Sequence, residues 1–219
     1  MSEPEQLALE LVTVRHAMDA ADFVVSGSNR DAVAWLDRWP DWPGSALAIY
    51  GPPGCGKTHL AHVWQARSEA HFWDGESLDA LPRGNLILDG ARPPEETLFH
   101  LINHARAEKI SLLILDREAP ARWNVRLPDL ASRLAALAAV PVLAPDDTLL
   151  AAVIAKHFAD RQLAVPAEVV AYLVRAIERS FAAAATVAEQ LDHAAMARQA
   201  PISVRLVREV LGRTSESPD

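Results

Sequence analysis

Cysteine is almost absent from this chain of 219 residues, since Cys55 is its single occurrence. An internal disulfide needs two cysteines, so the fold cannot depend on one. The cysteine clusters typical of structural zinc sites are excluded on the same ground. We therefore expect the chain to depend on a hydrophobic core, which a chain of this length can form.

Lysine is also scarce, with Lys57, Lys109 and Lys156 as its only members. Most of the 21 basic residues are arginines, and 29 acidic residues give a net charge of −8. This balance argues against a protein whose main task is to wrap nucleic acid, and we expect no direct sequence-specific DNA binding. Arginine suits contacts to nucleotides and to other subunits better than lysine does.

Long hydrophobic runs are missing, although 50% of the residues are hydrophobic. No run approaches the length of a membrane span. The first residues lack the basic and apolar regions of a signal peptide. The sequence therefore predicts a cytoplasmic protein without a membrane partner.

One motif stands out from this background. Residues 51–58 match the P-loop pattern G-x-x-x-x-G-K-[ST], with the short apolar run 46–50 before it and a helix-forming run after it. Its glycines let successive backbone N–H groups point at phosphate oxygens, and the helix N-terminus adds partial positive charge. We expect Lys57 to reach the β- and γ-phosphates and the Thr58 hydroxyl to hold Mg²⁺. The predicted nucleotide-binding residues here are Gly51, Pro52, Pro53, Gly54, Cys55, Gly56, Lys57, Thr58 and His59.

Strands alternate with helices up to about residue 145. Apolar runs at 46–50, 70–73, 85–89, 111–116 and 140–143 predict five strands, and helices are predicted between them, over 95–109 and 129–139 among others. This alternation indicates a parallel sheet covered on both faces. After Pro145 only helices are predicted, over 146–160, 166–179, 182–198 and 203–212. We predict an α/β fold that resembles AAA+ ATPases: a five-stranded parallel P-loop sheet flanked by helices, followed by a small all-helical lid.

The predicted domain boundaries follow from the same pattern. Residues 1–15 form a flexible tail, residues 16–145 a P-loop base domain, and residues 146–219 a helical lid domain.

Asp89 ends the third predicted strand, where a P-loop NTPase places the acid that holds Mg²⁺ through water. The carboxylate that normally follows it and orients the attacking water is replaced by Gly90. Unless Glu95 or Glu96 reaches back, we expect hydrolysis within the chain to be slow. The tip of the fourth strand is apolar at positions 114 and 115, so either Asp116 or Arg117 takes over there or the γ-phosphate sensor is weakened.

Several segments resemble the bacterial DnaA/Hda family of AAA+ proteins, over about residues 21–212. They are residues 23–32 (FVVSGSNRDA), the P-loop with Thr58-His59-Leu60, residues 98–103 (LFHLIN), Asp116-Arg117 and residues 128–134 (PDLASRL). The sequence stops soon after the lid, without the DNA-binding domain of DnaA, which favours the Hda side of the family.

The tail carries a second resemblance. Residues 6–11 (QLALEL) are similar to the sliding-clamp-binding peptide QLxLxL of Hda-type proteins. An extended peptide of this kind inserts alternating leucines into apolar pockets and uses glutamine as a polar anchor. The clamp-binding residues are expected to be Gln6, Leu7, Leu9 and Leu11.

The resemblance implies a negative regulator of replication initiation that binds ADP or ATP with Mg²⁺. Its partners would be the sliding clamp (the β subunit of DNA polymerase III) and DnaA, whose ATP hydrolysis it would stimulate; homo-oligomerisation is left open. The context Ser132-Arg133-Leu134 favours Arg133 as the arginine finger, with Arg122 and Arg126 as competitors. The sensor II position of the family falls on Ala182, and Arg179 lies one turn earlier.

Two other functions remain open at this point. The first is a helicase-loader ATPase similar to DnaC or IstB, against which the acidic charge and Gly90 speak. The second is a hydrolysis-deficient adaptor that docks without changing the turnover of DnaA.

Overall fold

The computed structural model describes residues 24–73, 83–90 and 92–214. The clamp-binding peptide predicted at residues 6–11 lies outside them. The described residues form two compact units, residues 27–143 and residues 144–214 with 24–26, and each is described by itself.

The first unit is built on a five-stranded sheet in the order β2-β3-β4-β1-β5, in which every pairing is parallel. The strands are β1 (Ala46–Tyr50), β2 (His71–Phe72), β3 (Leu86–Asp89), β4 (Leu112–Asp116) and β5 (Ala138–Pro141). The helices are α1 (Arg30–Asp37), α2 (Lys57–Ser68), α3 (Glu95–Glu108) and α4 (Pro128–Ala136), with short 3₁₀ turns at Pro43–Ser45 and Pro120–Arg122. The predicted fold class is confirmed.

Helices cover both faces of this sheet because its strands are apolar on both sides. In β4, Leu113 and Leu115 belong to the core that includes Trp64 of α2, whereas Leu112 and Ile114 pack into the opposite core with Leu101 of α3. Side chains alternate along a strand, so a run without polar residues buries both of its faces. This layering fixes α2, and the loop that precedes it, against one face of the sheet.

The junction between α4 and β5 differs from the prediction. The helix expected to reach Ala139 ends at Ala136, and the strand expected from Val140 begins at Ala138. Alanine favours helices, but Ala138 pairs with Leu47 of β1 and Ala139 with Ala48. Sheet pairing therefore overrides local helix propensity here.

The second unit consists of four helices: α5 (Asp147–Asp160), α6 (Ala167–Ala176), α7 (Phe181–Arg198) and α8 (Val204–Thr214). Asp146 caps α5 by accepting the N–H of Leu149 at 2.8 Å, and Ser180 caps α7 by accepting the N–H of Ala183 at 3.1 Å. The core of this unit contains, among others, Ile154, Phe158, Leu173, Leu191 and Val207. No described helix combines the length and apolar character that a membrane crossing requires.

Candidate functional site

The P-loop connects β1 to α2, as predicted. Its first residue, Gly51, donates its N–H to the Asp116 carbonyl at 3.1 Å, and the Val142 N–H reaches the Tyr50 carbonyl at 2.7 Å. A Cβ atom at Gly51 would lie 2.0 Å from the Val142 carbonyl oxygen. Only glycine therefore fits where the chain leaves the sheet.

Lys57, the first residue of α2, turns back over the loop. Its Nζ donates to the carbonyls of Gly51 at 2.8 Å and Pro52 at 2.9 Å. The buried Cys55 thiol lies 3.8 Å from the same Nζ. Burial raises the pKa of Cys55, and the nearby lysine only partly offsets this. The thiol is thus a small uncharged side chain that fills the loop, while the ammonium group of Lys57 is held by two loop carbonyls, one part-buried and one exposed.

Thr58 and Asp89 meet, although 31 positions separate them in the chain. The Thr58 hydroxyl donates to the Asp89 carboxylate at 2.7 Å, joining the first turn of α2 to the end of β3. Hydroxyl and carboxylate oxygens are ligands that suit Mg²⁺, which completes its shell with waters and phosphate oxygens. The pair fits a magnesium ion held beside a phosphate. Of the other predicted loop residues, Pro52, Pro53, Gly54 and His59 are exposed.

The position after Asp89 has no carboxylate, and its backbone is unusual. Gly90 adopts φ +102°, a region that disfavours any side chain, and a Cβ atom there would meet nothing within 4 Å. Space is therefore available for a larger residue, but the backbone conformation opposes one.

Glu95, which sequence reasoning left open as a replacement, has another role. Its carboxylate accepts the N–H groups of Arg126 and Leu127, both at 2.9 Å, just before α4. These two bonds, that of Arg126 first, lower the pKa of Glu95. The Glu95 carboxylate therefore holds the start of α4 against α3. Glu96, the other residue considered as a replacement, is exposed.

Sequence reasoning did not single out Arg92. Its guanidinium pairs with both carboxylate oxygens of Asp116, Nε to Oδ2 and Nη2 to Oδ1, each at 2.8 Å, and it lies 4.3 Å from the ring centroid of Trp123. The pKa of Asp116 is lowered: burial, the largest influence, opposes the shift, but the hydrogen bonds from Arg92 and from the Glu118 N–H outweigh it. The sequence does show a basic residue three positions after Asp89, the acid that ends β3. It does not show that this residue pairs with Asp116, because Asp116 lies 24 residues further along the chain.

Arg133, the candidate finger, lies near the end of α4 and is half-buried. Its guanidinium carbon is 5.0 Å from the Phe99 ring centroid, and its Nε is buried without a hydrogen-bond partner among the residues that the structure describes. The competitors Arg122 and Arg126 are exposed. The structure thus gives Arg133 a packed environment that the other two lack.

The two lid positions lie in the second unit. Ala182 is exposed in the first turn of α7. Arg179 forms an ion pair with Asp147 and donates to the Pro145 carbonyl at 3.4 Å. Arg179 is therefore already engaged at the start of α5.

Two comparisons with known proteins bear on this geometry. Residues 146–211 match the family model described as "Hda, lid domain". The structure also resembles domain III of the replication initiation protein DnaA from Thermotoga maritima, with a TM-score of 0.73 at 15% identity, over 90% of this chain and 96% of that one.

Longer AAA+ proteins share the same fold. AMPPCP-bound DnaA from Aquifex aeolicus matches with a TM-score of 0.63 at 17% identity, over 78% of this chain and 63% of that chain. The Holliday junction branch migration motor RuvB of Thermotoga maritima matches with a TM-score of 0.58 at 15% identity, over 77% and 61%. At these identities the likeness shows the fold.

A P-loop on a five-stranded parallel sheet, with a separate helical lid, defines the AAA+ class. The lid, residues 146–211, matches the Hda model, and the fold is that of DnaA domain III, which supports a DnaA-related AAA+ protein of the Hda type.

Proposed function

We propose that this protein is an Hda-like negative regulator of DNA replication initiation. It holds an adenine nucleotide, docks on the DNA polymerase III sliding clamp and stimulates the hydrolysis of ATP bound to DnaA. The observation that carries the proposal is a P-loop with its Thr58–Asp89 pair in place beside Gly90, where a hydrolytic carboxylate is missing.

The nucleotide is ADP or ATP with Mg²⁺. DnaA structures of the same fold contain the adenine nucleotide analogue AMPPCP, which supports an adenine nucleotide here. Lys57 would exchange its loop carbonyls for phosphate oxygens, and Thr58 and Asp89 would hold the ion directly or through water. None of these groups requires a γ-phosphate, so ADP suffices as the resident ligand.

The chemistry belongs in the partner's active site. Within this chain, Gly90 offers no side chain and the carboxylate of Glu95 is committed to two backbone amides. An arginine finger entering a partner's site stabilises charge on the transferring phosphoryl group, with an effect of about 10³–10⁵ on the rate. We assign this role to Arg133 because of its Ser132-Arg133-Leu134 context and because Glu95 of α3 fixes the start of α4, the helix that carries it.

Single alanine variants at the three candidate positions test the finger. Arg133→Ala should abolish stimulation of DnaA hydrolysis while binding to the clamp is retained. Arg122→Ala and Arg126→Ala are the matched controls, since each removes one exposed arginine from the same region. Stimulation that survives in Arg133→Ala and disappears in a control would transfer the role to that control residue.

Docking on the clamp is assigned to Gln6, Leu7, Leu9 and Leu11. The double variant Gln6→Ala/Leu9→Ala should lose clamp binding in a pull-down assay, and unaltered binding would remove this role from the peptide. The variant should keep the nucleotide affinity of the parent protein, because the P-loop is untouched.

A hydrolysis-deficient adaptor is the second candidate. The packing of Arg133 on Phe99, with its Nε buried, favours it, because a finger must leave or extend beyond such a position to reach a partner. An adaptor would bind the clamp and DnaA without changing the rate at which DnaA hydrolyses ATP.

A further inference from the structure

The ion pair between Arg92 and Asp116 lies at the end of the sheet where β3 and β4 finish. Arg92 also approaches Glu118, with Nη2 3.5 Å from Oε2, and its guanidinium faces Trp123. The Arg92 side chain is 41% exposed, whereas that of Asp116 is 9% exposed. A cation is thus held at the surface by a carboxylate that is nearly buried.

This pair adjoins the P-loop. The main-chain carbonyl of Asp116 accepts the N–H of Gly51, and Asp116 is in register with Tyr50, the last residue of β1. On the other side of β4, Leu115 is in register with Asp89. In open parallel sheets, ligands bind at this edge, outside the carboxyl ends of the strands.

At the ends of β3 and β4 themselves, none of the described residues has an uncharged polar side chain for a terminal phosphate. Ile114 and Leu115 are buried and apolar, and Gly90 has no side chain. Arg92 brings a guanidinium to this edge, where it pairs with Asp116. A guanidinium recognises a phosphate with the same two-pronged geometry that it uses for a carboxylate. Arg92 is exposed enough to move, but Asp116 is nearly buried and would keep the Glu118 N–H without the Arg92 cation. The contact with the terminal phosphate must therefore outweigh the loss of this ion pair.

We propose that Arg92 distinguishes a nucleoside triphosphate from a diphosphate in this site. With a diphosphate or no nucleotide bound, its guanidinium rests on Asp116 against Trp123. With a triphosphate bound, it leaves Asp116 and pairs with the terminal phosphate. This inference rests on the proposed function, since it requires the P-loop to hold a nucleotide.

The exchange links the nucleotide to the loop after β4. When Arg92 leaves, Asp116 loses its neutralising partner and Trp123 loses the cation over its ring. The bound triphosphate therefore changes charge and packing in the segment that leads to α4, which carries Arg133. Arg92 would thus recognise the terminal phosphate without any hydrolysis of the nucleotide.

Affinities of the full chain for ADP and for AMPPCP, measured by calorimetry with Mg²⁺, test the proposal. Arg92→Gln should weaken AMPPCP binding about tenfold or more, as expected for a lost charge-assisted contact, and leave ADP binding nearly unchanged. Asp116→Asn frees the guanidinium and should strengthen AMPPCP binding relative to ADP. The two variants thus shift the triphosphate-to-diphosphate ratio in opposite directions.

Arg67→Gln is the matched control. Arg67 also pairs with a carboxylate, Asp37 at 3.6 Å, and faces a tryptophan, Trp39 at 5.8 Å, but it lies at the far end of α2 from the P-loop. Its removal should leave the ratio unchanged. Arg92→Lys keeps the charge without the two-pronged geometry and should retain part of the preference, which provides a second test if Arg92→Gln does not fold.

Two results would overturn the inference, and they are distinguishable. In the first, the wild-type chain binds both AMPPCP and ADP, and Arg92→Gln either weakens the two affinities equally or changes neither. Arg92 then does not recognise the terminal phosphate. If the wild-type chain binds neither nucleotide, the proposed function itself fails, and the role of Arg92 fails with it.

Discussion

The Thr58 hydroxyl donates a 2.7 Å hydrogen bond to the Asp89 carboxylate, and this contact joins the helix after the P-loop to the end of β3. Both oxygens belong to groups that bind magnesium, and they meet where a bound phosphate would complete the ion's shell. The contact places a threonine and an acid together without the second carboxylate that hydrolysis uses. The proposal that this chain binds a nucleotide without turning it over rests on this contact.

The first prediction concerns this pair. Asp89→Asn should remove most of the gain in ADP affinity that Mg²⁺ provides, because a neutral amide is a poorer ligand for a hard cation. Calorimetric titrations with Mg²⁺ and with a chelator measure the gain. Asp129→Asn, an exposed carboxylate of α4, is the control and should keep the full magnesium effect. An undiminished gain in Asp89→Asn would exclude Asp89 as a ligand.

Lys57 is the subject of the second prediction. Lys57→Ala should leave the nucleotide-free protein within about 1 kcal/mol of wild type, since only partly exposed hydrogen bonds to loop carbonyls are lost. Stabilisation by ADP should largely disappear in the variant, whereas wild type gains about 2.7 kcal/mol at a ligand concentration one hundred times its Kd. Thermal unfolding with and without ADP provides both numbers. Equal stabilisation of the two proteins would show that Lys57 does not contact the nucleotide.

The third prediction tests the close approach at the start of the P-loop. Gly51→Ala should destabilise the protein by about 2 kcal/mol or more, because the new Cβ atom would meet the Val142 carbonyl oxygen at 2.0 Å. Gly212→Ala is the matched substitution: nothing lies within 4 Å of its Cβ, and α8 should gain about 0.5–1 kcal/mol. Denaturant unfolding measures both changes, and an unaltered midpoint for Gly51→Ala would contradict the packing described here.

The fourth prediction is the pH dependence of Glu95. The N–H groups of Arg126 and Leu127 lower its pKa in the folded state, so its stabilising effect is complete above the unfolded pKa and is lost as the pH falls through the folded one. The stability difference between wild type and Glu95→Gln should be largest near neutral pH and should shrink in acid. Denaturant unfolding across a pH series measures it, with Glu96→Gln as the control that removes the same charge from the same helical turn. A difference that stays constant with pH would contradict the role of these two bonds.

Much of the fold follows from local patterns in the sequence. Apolar runs such as 46–49 and 112–115 have no polar residue to expose, so they predict buried strands of a parallel sheet. The P-loop motif and the acid at the end of β3 likewise predict that Thr58 and Asp89 lie together. The end of α4 could not be predicted, because Ala138 and Ala139 favour a helix and become part of β5 only through pairing with β1.

The electrostatics of the site were the least predictable part. Arg92 pairs with Asp116, which lies 24 residues further along the chain. The Glu95 carboxylate accepts backbone N–H groups from residues 31 and 32 positions further on. Such partners depend on how loops meet at one edge of the sheet, and no periodicity in the sequence encodes that. The same holds for Arg133, whose packing against Phe99 joins α3 to α4.

The central claim is that this P-loop holds a nucleotide while hydrolysis takes place in the active site of DnaA. The most direct test measures release of phosphate from ATP by this protein alone, by DnaA alone, and by both together with the clamp loaded on DNA. We expect negligible turnover by the protein alone and, for the complete mixture, a large increase that Arg133→Ala abolishes. Rapid turnover by the protein alone, or a complete mixture no faster than DnaA, would contradict it.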